Sequence, residues 1–502
     1  MTLDKLKQQR RHAAHRDRRL IFNDDGCPMV YSVKEPSADA LLAERTSDLV
    51  GSHVGSIFYC PWTAGLGHVT YPSEIAEPFY ANTGIFATNM TKAFHDAGLD
   101  PVQIMINFAR QHDIEIFVSI RMNDIHDGYP QWREMLPRFK KDHPHLLHGS
   151  EENPPLFGFW SGLNYAEQAV QDRSFAILED ICQRYDLDGV ELDWQRHPPH
   201  FACTTRGEDC TTTERDLLTG FHRRVRDMTE RVGIARERPL LTAVRIPASI
   251  ACSEAIGLDV SRWVEQDLVD LLCPGEWELS PWDEWTALGH QHNVPVYPSI
   301  SWSGSRKRQG PIGTADGMGL RNFRARAMNI WHSGGDGIST FNLFDPRSAF
   351  WREAGDSETL ARLDKDYFPD GHFRFLLGRD VRDLLRFCTL PTILDPEIPV
   401  PLEPTRPFDV SLTIGEDPGS DPSSTTTMSV SVDGLTEKNG LVVRFNDDSV
   451  EGGTQKGRWV SYDIDSKRVR KGLNTIRVIN REPTFKRIVL NDVHVGIRYE
   501  KE

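Results

Sequence analysis

The sequence lacks several things, and each absence narrows its class. No stretch approaches the roughly 20 consecutive apolar residues of a membrane-spanning helix, so no membrane partner is expected. Positive charge is in deficit: 58 Lys and Arg stand against 73 Asp and Glu, a formal net charge of −15. No aromatic-studded basic groove offsets this, so no nucleic-acid partner is expected either. Cysteine is scarce, with 8 in 502 residues, too few for a disulfide scaffold. Cys203 and Cys210 flank a loop, but no second CxxC-like pair accompanies them, and zinc is not expected. No glycine-rich phosphate turn follows an early strand, which argues against a doubly wound nucleotide-binding sheet. The first strand offers "IFNDD" where an H-x-H would be wanted, and the histidines of "HPPH" cannot share a helix face. The reading is therefore without metal and without cofactor.

The one basic stretch, "KLKQQRRHAAHRDRRL", spans residues 5–20 and makes up most of a basic polar N-terminal segment, 1–18. It lacks the apolar core of a signal peptide and reads as a solvated helix. A cytoplasmic protein is the expectation.

What is present is a cadence of short apolar run, polar loop and helical pattern. The runs lie at 19–25, 54–60, 114–124, 189–196, 240–247, 269–276, 294–301 and 337–344. Helical stretches fall between most of them. "DPVQIMINFARQHD" opens with an N-cap aspartate and a first-turn proline. Eight strands alternating with helices predict a (β/α)8 barrel over residues 19–390. Two long connections, 125–165 and 197–215, follow strand C-termini, where barrel enzymes build their sites. Residues 391–407 form a proline-rich connector. Alternating strands without helices then fill 408–502, which reads as an antiparallel β-sandwich accessory domain.

One strand carries unusual polarity. In "DGVELDWQRH" (188–197), Val190, Leu192 and Trp194 alternate with Glu191, Asp193 and Gln195. A barrel strand points alternate residues inward, so the polar set should face the axis and climb towards the C-terminal mouth. Buried carboxylates are costly unless paired or used. Arg121 of "SIRMND" and Arg245 of "TAVRIP" are the candidate partners. A buried structural ion-pair network is the plainer account of the same residues.

A second acid is found two strands on, in "LLCPGEWELSPWDEW". Pro274 and Gly275 would end that strand and present Glu276 at the mouth. Trp277, Trp282 and Trp285 follow, and apolar surroundings raise a glutamate's pKa towards that of an acid catalyst. Glycosidic cleavage needs one group to protonate the leaving oxygen and one to attack or to activate water. Asp193 is assigned as nucleophile and Glu276 as acid/base. Strands two apart stand roughly 9–10 Å apart, and inward side chains can close this to the roughly 5–5.5 Å of a retaining pair. Further mouth candidates for substrate binding are Asn23, Asp24, Tyr59, Trp62, Arg121, Asn123, Asp124, His126, Glu191, Gln195, Arg196, His197, Trp277, Trp302 and Asn342. His68 lies at a similar place. The cations of "SWSGSRKRQG" (301–310) suit an anionic sugar, or belong to a solvated loop.

"DGVELDW" is similar to the fourth-strand motif of several barrel glycoside hydrolases, above all the chitinase-type D-G-x-D-x-D-x-E. Here Glu191 replaces an aspartate, and Gln195 stands where that pattern has its acid. An amide cannot donate that proton, so the resemblance does not imply chitinase-type, substrate-assisted chemistry. Residues 19–345 also resemble the glycosyl hydrolase-like barrels described as family-10-like, through "RRLIFNDDG", "SIRMND" with the following "HD", and "DGVELDWQRHP". A looser similarity links the chain to endo-acting fucan hydrolases, which implies a fourth-strand Asp and a Glu two strands on. "KGLNTIRV" looks like a strand entry of jelly-roll accessory domains in carbohydrate-active enzymes. Together these imply a glycoside hydrolase acting on a poly- or oligosaccharide. The alternatives are a non-catalytic carbohydrate-binding barrel, consistent with Gln195, and a polysaccharide lyase with His126 or His197 as base.

Overall fold

In the computed structural model, which describes residues 1–62, 66–275, 281–301, 310–311, 319–369, 385–435, 440–481 and 487–500, each of the eight apolar runs contains one strand of a single parallel sheet. These are β1 (Arg19–Asp24), β2 (Val54–Tyr59), β3 (Glu115–Arg121), β4 (Gly189–Asp193), β5 (Leu241–Ile246), β6 (Leu271–Pro274), β7 (Ser299–Ser301) and β8 (Gly337–Phe341). They pair in the order β6-β5-β4-β3-β2-β1-β8-β7. Parallel bridges Leu272–Val296 and Gly275–Ser299 join the two ends. The result is a (β/α)8 barrel.

Helices cover the strands on the outside. The helix Pro101–Gln111 starts as its sequence implies, with Asp100 Oδ1 accepting the N–H groups of Val102 and Gln103 at 2.9 and 3.2 Å. Thr211 and Glu214 form a capping box on the helix Thr212–Arg236, satisfying two otherwise orphaned donors. Val190, Leu192 and Trp194 join the large apolar layer between strands and helices. Trp194 donates its indole N–H to His222 Nε2 of that long helix at 3.0 Å. Gly189 faces inward, where an added Cβ would lie 2.1 Å from the Phe117 ring. That contact explains the glycine of the "DG" step.

The barrel floor is polar and plugged. Arg18 pairs with Glu115 at 2.7 Å, and Ser56 donates to the same carboxylate at 2.7 Å. The helix Leu3–Ala14 seals this end, with Leu6, Arg10 and Ala14 buried. The N-terminal segment is therefore not a freely solvated helix. Its Arg10 is 1% exposed and pairs with Asp270 at 2.6 Å and with Asp267. Pairing of this kind is what makes a buried guanidinium tolerable.

After the barrel, antiparallel strands build two facing sheets around an apolar core. One sheet centres on Ile488–Tyr499 and Ser424–Asp433, the other on Gly472–Asn480 between Pro407–Ile414 and Leu441–Phe445. Two short strands before residue 408 belong to the first sheet: Lys365–Tyr367 and Val400–Leu402 both pair with Ile488–Tyr499. They lie within the spans assigned from sequence to barrel and connector. The sandwich leans on the barrel helix Leu320–His332. Asn322 Nδ2 donates to the Asp366 carbonyl at 3.1 Å and Asn329 Nδ2 to that of Thr413 at 3.0 Å. Gly415 passes so close that an added Cβ would sit 2.4 Å from the Met328 carbonyl oxygen. Among the described residues, no helix is long and apolar enough to cross a membrane.

Candidate active site

Strand register decides which polar residues meet. Ser119 stands beside Glu191, and Arg121, Asp193 and Arg245 stand side by side on β3, β4 and β5. Glu191 and Asp193 do face the axis, as the alternation predicts. Asp193 is 2% exposed and held on several sides. Its Oδ1 accepts the backbone N–H groups of Gln195 and Arg196 at 3.1 and 2.9 Å. Arg245 Nε lies 3.0 Å from Oδ1, and its Nη2 donates to Oδ2 at 3.1 Å. Arg245 is thus the partner that the carboxylates require. Arg121 pairs elsewhere, with Asp124 at 3.1 Å. One layer lower, Ser119 donates to Glu191 at 2.5 Å. Burial, reinforced by the neighbouring Asp193, pushes the Glu191 carboxyl up to about 7.

Above this layer opens a cleft of about 550 Å³ at the C-terminal ends of the strands. Its walls are aromatic: Tyr31, Trp62, Trp132 and Phe344. Tyr31 and Trp62 meet edge to face at 5.6 Å, and Arg45 stacks on Phe344 at 3.7 Å. Polar groups converge between them, among them Asp25, Arg121, His126, Arg196 and Asn342. Asp25 accepts from Arg45 at 2.6 Å. Burial opposes its charge, but Arg45 and Arg121 outweigh that and hold the carboxyl below its ordinary value. Arg45 also pairs with Asp24 at 3.1 Å.

A histidine cluster forms one side of the cleft. His126 Nδ1 lies 2.9 Å from both oxygens of the fully buried Asp124, and its Nε2 meets Arg196 Nη2 at 3.2 Å. An arginine can only donate, so Nε2 accepts and Nδ1 carries the proton towards Asp124. The rings of His126 and His197 are 4.7 Å apart. His197 Nδ1 accepts the Ile125 N–H at 3.4 Å. Burial, with the charge of Arg196 and the closeness of His126, holds its imidazole well below its ordinary pKa and therefore neutral. Burial also opposes the charge on Asp124, but the hydrogen bond from His126 and the charge of Arg121 outweigh it and hold the carboxyl well below its ordinary value. Asp124, His126 and His197 could by position share a cation. Arg121 on Asp124 and Arg196 on His126 already bring positive charge against two of these three residues.

Of the residues named from sequence, Trp62, Arg121, His126, Arg196 and Asn342 line the cleft, with Asp124 and His197 directly behind. Others lie elsewhere. Tyr59 joins the apolar layer outside the barrel, because β2 turns Phe58 inward and Ile57 and Tyr59 outward. Asn123 is a brace: its amide donates to the carbonyls of Leu163 and Pro199 at 3.2 and 2.9 Å, and its oxygen accepts the Leu163 N–H at 2.9 Å. Asn23 is buried in β1, and Asp24 Oδ1 closes a turn by accepting the Gly26 N–H at 3.0 Å. Gln195 is 1% exposed, and neither amide atom has a hydrogen-bond partner among the described residues. His68 packs edge to face on Phe79 at 5.1 Å, outside the cleft lining.

Of the tryptophans expected around Glu276, two lie among the described residues. Trp285 is wholly within the apolar core. Trp282 lines a separate cleft between barrel and sandwich with Asn329, His332 and Thr413. Glu276, Trp277 and Trp302 lie outside the described residues, as do the cations of 306–308. Sequence reasoning missed Asp25, Tyr31, Trp132 and Phe344. The only signal for them was their place in the connections that follow strands β1, β3 and β8.

The fold and this mouth define a (β/α)8 barrel with an aromatic-walled polar cleft, and solved structures offer the following likenesses. The glycoside hydrolase domain of PgaB (BpsB) from Bordetella bronchiseptica aligns over 68% of this chain and 99% of its own, at 11% identity and a TM-score of 0.41. The catalytic domain of a psychrophilic chitinase B from Arthrobacter TAD20 aligns over 69% and 96%, at 10% identity and a TM-score of 0.39. A cycloisomaltooligosaccharide glucanotransferase from Paenibacillus sp., complexed with cycloisomaltoheptaose, aligns over 96% of this chain, at 10% identity and a TM-score of 0.37. This chain spans only 57% of that enzyme's length. Likeness this slight carries no inference about activity. No family model and no curated protein matches the chain.

Proposed function

We propose that the protein is a glycoside hydrolase whose mouth cleft binds a sugar chain and cleaves a glycosidic bond. The observation that carries this reading is the cleft itself. Aromatic faces, which stack on sugar rings, surround carboxylate, histidine and arginine groups that can hold hydroxyls. Directly beneath lies the Asp193 carboxyl group, paired with Arg245 at 3.0 and 3.1 Å.

In this reading Asp193 attacks the anomeric carbon. Its Oδ1 is engaged by two amides and the guanidinium, whereas among the described residues Oδ2 meets Arg245 alone. Glu276 is the acid/base partner, and the outcome is retention. Arg121, Arg196, His126 and Asn342 hold the substrate. Arginines so placed also suit a sulfated or uronic sugar.

A second reading is supported by the Asp124–His126 pair. An imidazole oriented by a carboxylate suits a general base, and, once its Nε2 is released from Arg196, proton abstraction from a uronate would make the enzyme a lyase. A polysaccharide panel separates the readings. The hydrolase releases reducing ends without ultraviolet absorbance. A lyase releases them with the absorbance of an unsaturated uronate. A binding barrel retains polysaccharide and releases neither.

A further inference from the structure

We propose that Cys203 and Cys210 form a redox-active dithiol that takes a small-molecule disulfide as its partner and closes into an intramolecular disulfide. The two sulfurs lie 3.6 Å apart across the loop between the short helix Ala202–Thr205 and the helix Thr212–Arg236. A disulfide bond is about 2.05 Å long, so they need to approach by about 1.5 Å. The loop already brings its ends together without a bond: the Glu208 N–H donates to the Cys203 carbonyl at 3.1 Å. The Cys210 N–H is anchored separately, on the Ala255 carbonyl at 2.8 Å.

The pair is asymmetric, as thiol–disulfide exchange requires. Cys203 is partly exposed, whereas Cys210 is 5% exposed and packs beside Gly257. The hydrogen bond between the thiols favours ionisation of Cys203, while the same bond and burial push Cys210 up. Cys203 is therefore the attacking sulfur and Cys210 the resolving one.

In the first step the Cys203 thiolate attacks one sulfur of R–S–S–R. The external S–S bond breaks, RS⁻ leaves, and Cys203 carries a mixed disulfide. In the second step Cys210 gives its proton to solvent and attacks Cys203 Sγ. The mixed disulfide breaks and a second RS⁻ leaves. Two protein thiols are oxidised while one external disulfide is reduced to two thiols. The loop so closed is wedged between two neighbours. The Phe157 N–H donates to the Thr205 carbonyl at 3.0 Å, and Asp209 pairs with Arg386 at 2.5 Å.

The test is to equilibrate the native full chain with oxidised and reduced glutathione at set ratios, alkylate the remaining thiols, and map tryptic peptides. Cleavage after Arg206 places the two cysteines on different peptides, 197–206 and 207–215, so a bridge appears as a cross-linked pair. The expected result is loss of two thiols from the eight in the sequence, the 197–206/207–215 cross-link, and full reversal by dithiothreitol. Cys210→Ser should stop at a glutathione adduct on Cys203, and an upward shift in Tm on oxidation of the native chain should be absent from that variant. The proposal is overturned if both cysteines are alkylated at oxidising ratios, if the native chain keeps the adduct without a cross-link, or if Cys203 bonds a different cysteine. The map of the native protein decides this even if a variant fails to fold.

Discussion

Glu191→Gln isolates the cost of the second carboxyl in the barrel. Burial and the adjacent Asp193 raise the Glu191 pKa from 4.5 to about 7 in the folded protein. Between those values the folded chain holds a proton that the unfolded chain has released. The stability associated with that proton is fully present below pH 4.5 and is lost as pH rises through about 7. At about 1.4 kcal/mol for each tenfold change in proton affinity, the loss amounts to roughly 3 kcal/mol. A glutamine has nearly the same shape, can still meet Ser119, and never ionises. The variant should therefore gain on the native protein by that amount between acid and neutral pH. Unfolding entropy for a 502-residue chain is about 1 kcal/mol/K, so the Tm gap should widen by about 3 °C. Thermal unfolding of both proteins from pH 4 to 8.5 measures it, and groups that do not interact with Glu191 cancel in the difference. A gap that stays flat, or that narrows as pH rises through 7, would refute the reasoning.

Three further outcomes follow from the same geometry. Gln195→Glu should fold and keep part of its activity without gaining turnover of N-acetylated chitin oligomers; new activity there, read by reducing-end release, would make the chitinase resemblance functional. Arg10→Met should cost about 1–3 kcal/mol, because Asp270 loses one of its two arginines and keeps Arg226 at 3.0 Å; a denaturation midpoint unchanged from the native value would show that the N-terminal helix is dispensable. Truncation after residue 390 should give an aggregating or unstable barrel, since Lys365–Tyr367 loses its strand partner and Ala325 its apolar cover; a monodisperse, cooperatively melting fragment would show that the sandwich is an independent unit.

The barrel was legible because its strands are short apolar runs with a period of two, and that period also placed Glu191 and Asp193 inside. The same rule, applied to β2, puts Tyr59 with Ile57 on the outer face, so its misplacement was avoidable. Other features were beyond local pattern. Asn123 is claimed by Leu163 and Pro199, 40 and 76 residues away, and nothing in "SIRMND" announces that. The N-terminal arginines look the same in sequence whether solvated or paired, and only the fold brings Asp267 and Asp270 to Arg10. Tyr31, Trp132 and Phe344 come from three different loops. Their convergence is set by tertiary packing, in particular by the small apolar cluster of Val30, Trp62, Phe79, Phe86 and Met135 beside the cleft.

The central claim is that the mouth above Asp193 breaks glycosidic bonds, and the most direct measurement is turnover by the native protein beside Asp193→Asn. Substrate is taken from the polysaccharide panel, the fold of both proteins is verified by circular dichroism, and the anomeric proton of the first-formed product is followed by NMR. The account predicts reducing-end release with retained configuration by the native protein and its loss in Asp193→Asn, whose amide can occupy the same site but cannot act as the nucleophile. Native-like turnover by a folded Asp193→Asn protein would contradict it, and inversion at that proton would remove the nucleophilic role from Asp193.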